Sequence, residues 1–572
     1  MIRIENLSVA FGETEVVKNV SLDLADGEIL GLVGESGSGK SVTALTLMGL
    51  AADSARITGG RILFDDVVLR EAGKPCDKAL YRKYQGAKMS MVFQEPQTSL
   101  NPTQRVGRQV EEMLRLHTGM TKEEIRKCVL ETFEAVGLRD TERVYASYPH
   151  QLSGGMRQRI MIAMAVILHP RLLVADEPTT ALDVTIQSQI IELLRRINQK
   201  QNNAMLFITH DLHLARRFCH KVAVMKDGGV VEEGPAAEVF GNPRQAYTKR
   251  LVESVPSRLD GGEKTPEPER TKEAPVLQVR DLWVYYQDGN DKLIPRTEDA
   301  DAGKGFSLRN ILFRNRRQFV VQDADFEIYP GESLGLVGES GCGKTSLSKA
   351  ILGMNRHIQG EIVHHCLRPQ MIFQDPYSSL NPSKTIGWLL QEPLRAAGAL
   401  DKSAAMTKKD METAAYDMLK RVGMEEKYFY RKPSELSGGQ RQRVSIAQAL
   451  ITNPGFIVAD EPVSALDVTI QAQIMELLLK LQQEMHLACL FISHDINVVY
   501  KMCRRIMVMK EGRIIEIGDR EEIFSHPREE YTKLLLCNGE EKRDNSPENA
   551  PAVMKPGCGA YGVPQESGQG QE

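Results

Sequence analysis

Apolar and polar positions along this chain fall into strand-like and helix-like stretches whose order occurs twice. Residues 1–5 open an alternating strand pattern that runs through 4–11, and residues 276–286 restart it. Residues 29–33 are continuously apolar, as in a strand buried on both faces. A glycine-rich loop follows, then a helix-competent run at 42–50. Apolar runs at 172–175, 205–209 and 456–459 read as further strands. Apolar periodicity with charged faces at 110–116 and 125–136 predicts helices between Gln94 and Ser153. The pattern is α/β, with a helical subdomain set on a strand–helix core. The nine-residue apolar run at 160–168 reads as a buried helix. A membrane-crossing helix needs roughly 18–20 apolar residues, and no stretch approaches that.

The order repeats because the motifs repeat. The segment beginning Leu152-Ser153-Gly154-Gly155-Met156 recurs as Leu436-Ser437-Gly438-Gly439-Gln440. Val174-Ala175-Asp176-Glu177-Pro178 recurs at 458–462, residues 181–187 at 465–471, and His210-Asp211 as His494-Asp495. One offset of 284 residues relates Ser153 to Ser437 and His210 to His494. A period this long marks a duplicated domain rather than a solenoid. The expected boundaries are a first domain at 1–255, a linker at 256–275 rich in Pro, Gly and charge, a second domain at 276–536, and a polar, disordered tail at 537–572. The halves differ in spacing. Phe11 to Gly34 is 23 positions but Tyr286 to Gly338 is 52, which predicts a surface insertion at 287–317. Lys40 to Gln94 is 54 positions but Lys344 to Gln374 is 30, so the second half should lack most of a β-rich segment.

Length and charge narrow the class. The 572 residues suffice for two full cores, and the net charge of −4 gives no nucleic-acid footprint. Nine cysteines without a C-x-x-C pair suggest neither a zinc ribbon nor a disulfide framework. The N-terminal strand pattern does not read as a signal peptide, and the expected compartment is the cytosol.

The chemistry begins at Gly34-Glu35-Ser36-Gly37-Ser38-Gly39-Lys40-Ser41, which fits G-x-x-x-x-G-K-[ST] between a strand and a helix. Gly338-Glu339-Ser340-Gly341-Cys342-Gly343-Lys344-Thr345 fits it again. Such a loop turns backbone N–H groups toward phosphate oxygens at a helix N-terminus. Lys40 and Lys344 should meet the β- and γ-phosphates, and Ser41 and Thr345 should ligate Mg²⁺. Asp176 and Asp460 end buried strands, where α/β sheets bind ligands, and suit Mg²⁺. Glu177 and Glu461 suit a general base that orients water.

With the Ser-Gly-Gly segments the chain resembles the ATP-binding subunits of ABC transporters over nearly all of residues 1–536. The resemblance implies two P-loop NTPase domains in tandem, each a RecA-like mixed sheet with an antiparallel β subdomain and a helical subdomain. It matches Phe11 and Tyr286 to the adenine-stacking aromatic. Gln94 and Gln374 match the Q-loop glutamine, a further Mg²⁺ ligand. Ser153-Gly154-Gly155 and Ser437-Gly438-Gly439 match the signature, Asp183 and Asp467 the D-loop, and His210 and His494 the switch histidine. It implies a head-to-tail ATP sandwich, with the first P-loop facing residues 437–440 and the second facing 153–156. Two hydrolytic sites are expected, unequal because Met156 stands where glutamine is usual and Phe11 where tyrosine is.

Residues 94–96 leading to 99–102, and 374–376 leading to 379–382, repeat a second pattern, as do Asn242-Pro243 with Tyr247-Thr248 and His526-Pro527 with Tyr531-Thr532. These resemble the oligopeptide/dipeptide/nickel branch of bacterial importers in fused, two-domain form. That branch implies two membrane permease subunits, an extracytoplasmic substrate-binding protein, and a place on the cytoplasmic face of the membrane. The imported solute, a peptide, a metal chelate or glutathione, is not written in ATPase motifs. Some members carry an iron–sulfur cluster, but only Cys537 and Cys558 lie in the tail, and four thiolates are needed; no cluster is expected. The rival readings are soluble tandem ATPases on ribosomes, which call for a longer charged helical linker, and DNA-repair ATPases, which call for C-x-x-C insertions. Three local features read as surface or loop structure: His364-His365-Cys366 as a surface strand, Cys342 as the counterpart of Ser38, and the basic residues 314–317 as solvated charge.

Overall fold

The computed structural model describes residues 2–94, 99–179, 184–254, 274–287, 317–365, 369–375, 379–400, 405–464 and 466–537. Asp183, most of the expected linker, the stretch 288–316, Cys366 and the tail from 538 lie outside them. The chain divides into two compact units, one within Met1–Leu182 and Ile186–Val252, the other within Glu253–Glu541.

In the first unit, β1 (Ile2–Phe11), β2 (Thr14–Leu24), β4 (Ala55–Phe64) and β5 (Val67–Glu71) form an antiparallel sheet in the order β2-β1-β4-β5. A second sheet has the order β10-β9-β3-β8-β7-β6, from β3 (Ile29–Val33), β6 (Met89–Val92), β7 (Leu172–Asp176), β8 (Ala204–Thr209), β9 (Lys221–Lys226) and β10 (Gly229–Pro235). All its neighbours are parallel except β9 and β10. Every residue of β3, β7 and β8 is buried. That is why these strands read as unbroken apolar runs while β1 alternates. One core joins the sheets: Ile2, Ile4, Leu7 and Val9 pack in one cluster with Leu30, Leu32, Val174 and Leu206, around Ala44 and Leu47 of the helix after the glycine loop.

The second unit repeats the plan. A three-stranded antiparallel sheet runs β12-β11-β14, from β11 (Leu277–Gln287), β12 (Arg317–Ile328) and β14 (Ile358–His364). A six-stranded sheet runs β15-β16-β17-β13-β18-β19, from β13 (Ser333–Val337), β15 (Gln370–Ile372), β16 (Phe456–Asp460), β17 (Ala488–Ser493), β18 (Arg505–Lys510) and β19 (Arg513–Asp519). Among the described residues it has no counterpart of β5 or of the helix Lys78–Tyr84, which is the shortening expected from the motif spacing. Gln287 pairs with Arg317, so the stretch between them joins two strand ends that meet, where Phe11 and Thr14 meet in the first unit.

Helices Val106–His117 and Lys122–Ala135 occupy the region read as helical, and Ile386–Leu400 and Lys408–Arg421 are their counterparts. The apolar run near 160 lies in the buried helix Gly154–Val166. No described helix is long and apolar enough to cross a membrane. His364 ends β14 with one ring nitrogen 2.8 Å from the Ile351 carbonyl oxygen, half-buried rather than free on a surface.

Candidate functional site: a phosphate loop at the sheet's carboxyl edge

Sheet order assembles the site. In the first unit β3, β8, β7 and β6 are consecutive and parallel, so their carboxyl ends share one edge. The glycine loop follows β3, His210 follows β8, Asp176 and Glu177 sit at the end of β7, and Gln94 lies two residues beyond β6. In the second unit β13, β17, β16 and β15 put the second loop, His494, Asp460-Glu461 and Gln374 at the same edge. Ligands of open α/β sheets bind there.

The loop's shape demands its glycines. Gly34 has φ +148°, and a Cβ there would lie 2.2 Å from the Met225 carbonyl oxygen, a backbone atom that cannot move aside. Gly39 has φ +100° and caps the helix Lys40–Leu47, which begins two residues before the expected run. Lys40 is buried, and its ammonium donates to the carbonyls of Gly34 and Glu35 at 2.8 and 2.7 Å. Lys344 donates to Gly338 and Glu339 at 2.7 and 2.9 Å. Cys342 takes the place of Ser38, and burial raises its thiol pKa against the pull of Lys344, which disfavours the reactive thiolate form.

The acids are poised differently from one another. Ser41 Oγ donates to Asp176 at 3.2 Å. Burial lifts the Asp176 carboxyl above its ordinary pKa, neighbouring Glu177 adds to that, and Ser41 and Lys40 oppose it. Asp460 is raised in the same way, with Thr345 in the opposing role. Such a hydroxyl–carboxylate pair, starved of water, suits a hard cation.

Glu177 and Glu461 both have φ +45°, the left-handed region a branched or long side chain seldom takes. Each N–H donates at 2.9 Å to the next strand, to Ile208 and Ile492 respectively. This kink follows the strand end and leaves each carboxylate between two partners. Gln94 Nε2 donates to Glu177 at 2.9 Å, and His210 Nδ1 lies 3.2 Å away. Gln374 donates to Glu461 at 2.9 Å, and His494 Nδ1 is again at 3.2 Å. Burial pushes Glu461 up, but the bond and charge of His494, with smaller help from Lys344 and Ser464, outweigh it and the carboxyl ends below its usual value. The hydrogen bond to Glu461 raises His494 against the effect of burial. An ionised carboxylate among directed donors can accept a proton or hold a water.

Not every expected residue joins this cluster. Tyr286 does reach the loop's helix, its hydroxyl 3.3 Å from Ser346 Oγ. Phe11 closes β1 at the corresponding hairpin position, half-buried. Ser153 and Ser437 cap their own helices, Gly154–Val166 and Gly438–Leu450. A Cβ on Gly155 would meet Ile186 at 2.9 Å, and on Gly439 would meet Ile470 at 2.7 Å, so both glycines are needed for close packing. Asp467 begins the helix Val468–Met485.

One pair of residues went unassigned by motif reasoning. The hydroxyl of Tyr247 accepts from the Glu35 N–H at 3.3 Å, and that of Tyr531 from the Glu339 N–H at 3.1 Å. Their repetition at the domain ends was the signal, but a contact 212 or 192 residues away in sequence is not readable from spacing.

Fold and site define a nucleotide-binding cassette built twice in one chain. The comparisons with known proteins agree. The family described as "ABC transporter" matches residues 17–180 and 321–464, and that described as "Oligopeptide/dipeptide transporter, C-terminal region" matches 231–278 and 515–558. The chain is 40% identical over 569 residues to the glutathione import ATP-binding protein GsiA of Salmonella typhimurium, covering 94% of this chain and 89% of that protein. It is 41% identical over 559 residues to the uncharacterized ABC transporter ATP-binding protein YejF of Escherichia coli, covering 94% and 99%. A solved ATP-binding cassette, MJ0796 bound to ADP and Pi, is 31% identical over 41% of this chain and 99% of its own, with a TM-score of 0.37. The chain belongs to the ABC transporter ATP-binding family. It is an ATP-binding ATPase with tandem cassettes and the C-terminal region of the oligopeptide/dipeptide branch.

Proposed function

We propose that this ATPase powers import of a peptide-class solute, glutathione or a related small molecule, through membrane permease subunits. The single observation behind this reading is likeness to a glutathione import protein along 94% of the chain, and it favours import over a ribosomal or DNA-repair role. On this reading the chain sits peripherally on the cytoplasmic face of the membrane. Two permeases complete the transporter, and an extracytoplasmic binding protein delivers the solute.

In each unit the loop amides and Lys40 or Lys344 cradle the ATP phosphates, and Phe11 or Tyr286 stacks on adenine. Ser153-Gly154-Gly155, Ser437-Gly438-Gly439, Asp183 and Asp467 complete the nucleotide contacts. Ser41, Asp176 and Gln94, with Thr345, Asp460 and Gln374, would hold Mg²⁺, which neutralises developing phosphate charge when bound. Ser41 and Asp176 fit that cation, since their oxygens converge at 3.2 Å around an acid that burial holds short of solvent. Glu177 and Glu461 accept the proton of the attacking water. His210 and His494 hold those carboxylates from one side, and the glutamines hold them from the other.

The assignment is tested by replacing both glutamates. The E177Q/E461Q chain should retain ATP binding and lose steady-state hydrolysis by about 100-fold or more, the usual contribution of a general base. Unchanged turnover would falsify the assignment. Uptake of labelled glutathione and of a dipeptide into vesicles carrying the permeases separates the candidate solutes.

A further inference from the structure

We infer that Tyr247 and Tyr531, in the C-terminal region of each unit, are positioning residues for the phosphate loop. The Gly34–Glu35 peptide is held at both ends. Its carbonyl accepts from the Lys40 ammonium at 2.8 Å, and its N–H donates to the Tyr247 hydroxyl at 3.3 Å. The second unit repeats this, with Lys344 on the Gly338 carbonyl at 2.7 Å and Tyr531 on the Glu339 N–H at 3.1 Å. A peptide is planar, so fixing its N–H fixes the direction of its carbonyl. The hydroxyl therefore acts through one peptide on the lysine.

Each tyrosine is itself anchored. Lys226 and Lys510 place their ammonium groups 5.1 Å from the centres of the two rings, within cation–π range. The helices Ala246–Glu253 and Glu530–Cys537 carry the tyrosines. The approach to the first is clamped by Glu232 of β10, whose carboxylate accepts from the N–H groups of Arg244 and Gln245 at 2.8 and 3.1 Å. Glu516 of β19 does the same for Arg528 and Glu529 at 2.9 and 3.3 Å, and takes a further bond from Thr532 Oγ1 at 2.5 Å. In both units, then, a glutamate holds the segment that bears the tyrosine, a lysine lies over the tyrosine ring, and the tyrosine hydroxyl holds the loop amide. The family region that carries the tyrosines is in this way part of the nucleotide pocket, and more than a trailing segment.

The inference rests on Lys40 and Lys344 holding ATP phosphates, so K40A/K344A serves as the control. The test is Y247F/Y531F in the full chain, which removes two hydroxyls and keeps both rings. Fluorescent-ATP titration should show affinity weakened about threefold to tenfold, the range for one net hydrogen bond. KM for ATP should rise in proportion, while kcat changes less than twofold and the melting temperature holds. Unaltered affinity beside a non-binding lysine control overturns the tyrosine role alone. So does a fall in kcat and melting temperature that tracks the loss of affinity, which would mark general loosening. A lysine control that still binds ATP rejects the underlying site assignment instead.

Discussion

At the scale of single residues, the two units differ most informatively at one signature position. Ser437 accepts from the Gln440 N–H at 3.4 Å, and Gln440 Oε1 accepts in return from the Ser437 N–H at 3.0 Å. That reciprocal box satisfies two helix-end donors. Ser153 makes only the first bond, to the Met156 N–H at 3.3 Å, because a thioether cannot return it. Replacing Met156 with Gln should complete the box and strengthen the first turn by about 0.5–1 kcal/mol. Amide exchange at the start of the helix Gly154–Val166 measures this, and exchange as fast as in the parent would show that the box does not form. The motif residues themselves were legible, since glycine, lysine and acid at fixed spacing leave few chemical readings. The left-handed turn at Glu177 and Glu461 was not. Spacing names a glutamate after a strand, while the φ of +45° follows from an N–H bond to a neighbouring strand.

At the scale of elements, the strands bearing the site were readable because burial on both faces makes β3, β7 and β8 unbroken apolar runs. Helix starts were less so: Lys40 already lies in its helix, since the left-handed Gly39 acts as the cap. Sheet order was beyond the sequence, because pairing of β3 with β8 and β9 joins segments far apart in the chain. The clamp on the C-terminal helix belongs here too. Burial raises the Glu232 carboxyl, but the nearby Thr248 hydroxyl and the N–H bonds from Arg244 and Gln245 outweigh it and hold the pKa below its usual value. A carboxyl depressed in the fold stabilises it above the unfolded value near 4.5 and loses that contribution as pH falls through the lowered value. E232Q should therefore melt below the parent at neutral pH, and the gap should close as pH drops below about 4.5. Melting curves from pH 3 to 8 check the sign, and a gap that widened toward acid would contradict the clamp.

At the scale of the molecule, duplication gives each unit its own loop lysine, strand-end acids, glutamine and histidine, in matching geometry. The Gln94–Glu177 and Gln374–Glu461 bonds are both 2.9 Å, and both histidines lie 3.2 Å from their glutamates. Nothing in that set marks either unit as a silent copy, although Phe11 against Tyr286 and Met156 against Gln440 make equal rates unexpected. If both hydrolyse ATP, E177Q should leave the turnover of the second unit and E461Q that of the first, each short of the roughly 100-fold loss expected when both bases are gone. Single-turnover hydrolysis, counted as phosphate released per chain, reads the two contributions without the confusion of product release. The second unit has the tyrosine hydroxyl on its loop helix, so its base should account for the larger share. A single substitution that already equals the double variant would assign the chemistry to one unit and leave the other to bind nucleotide alone.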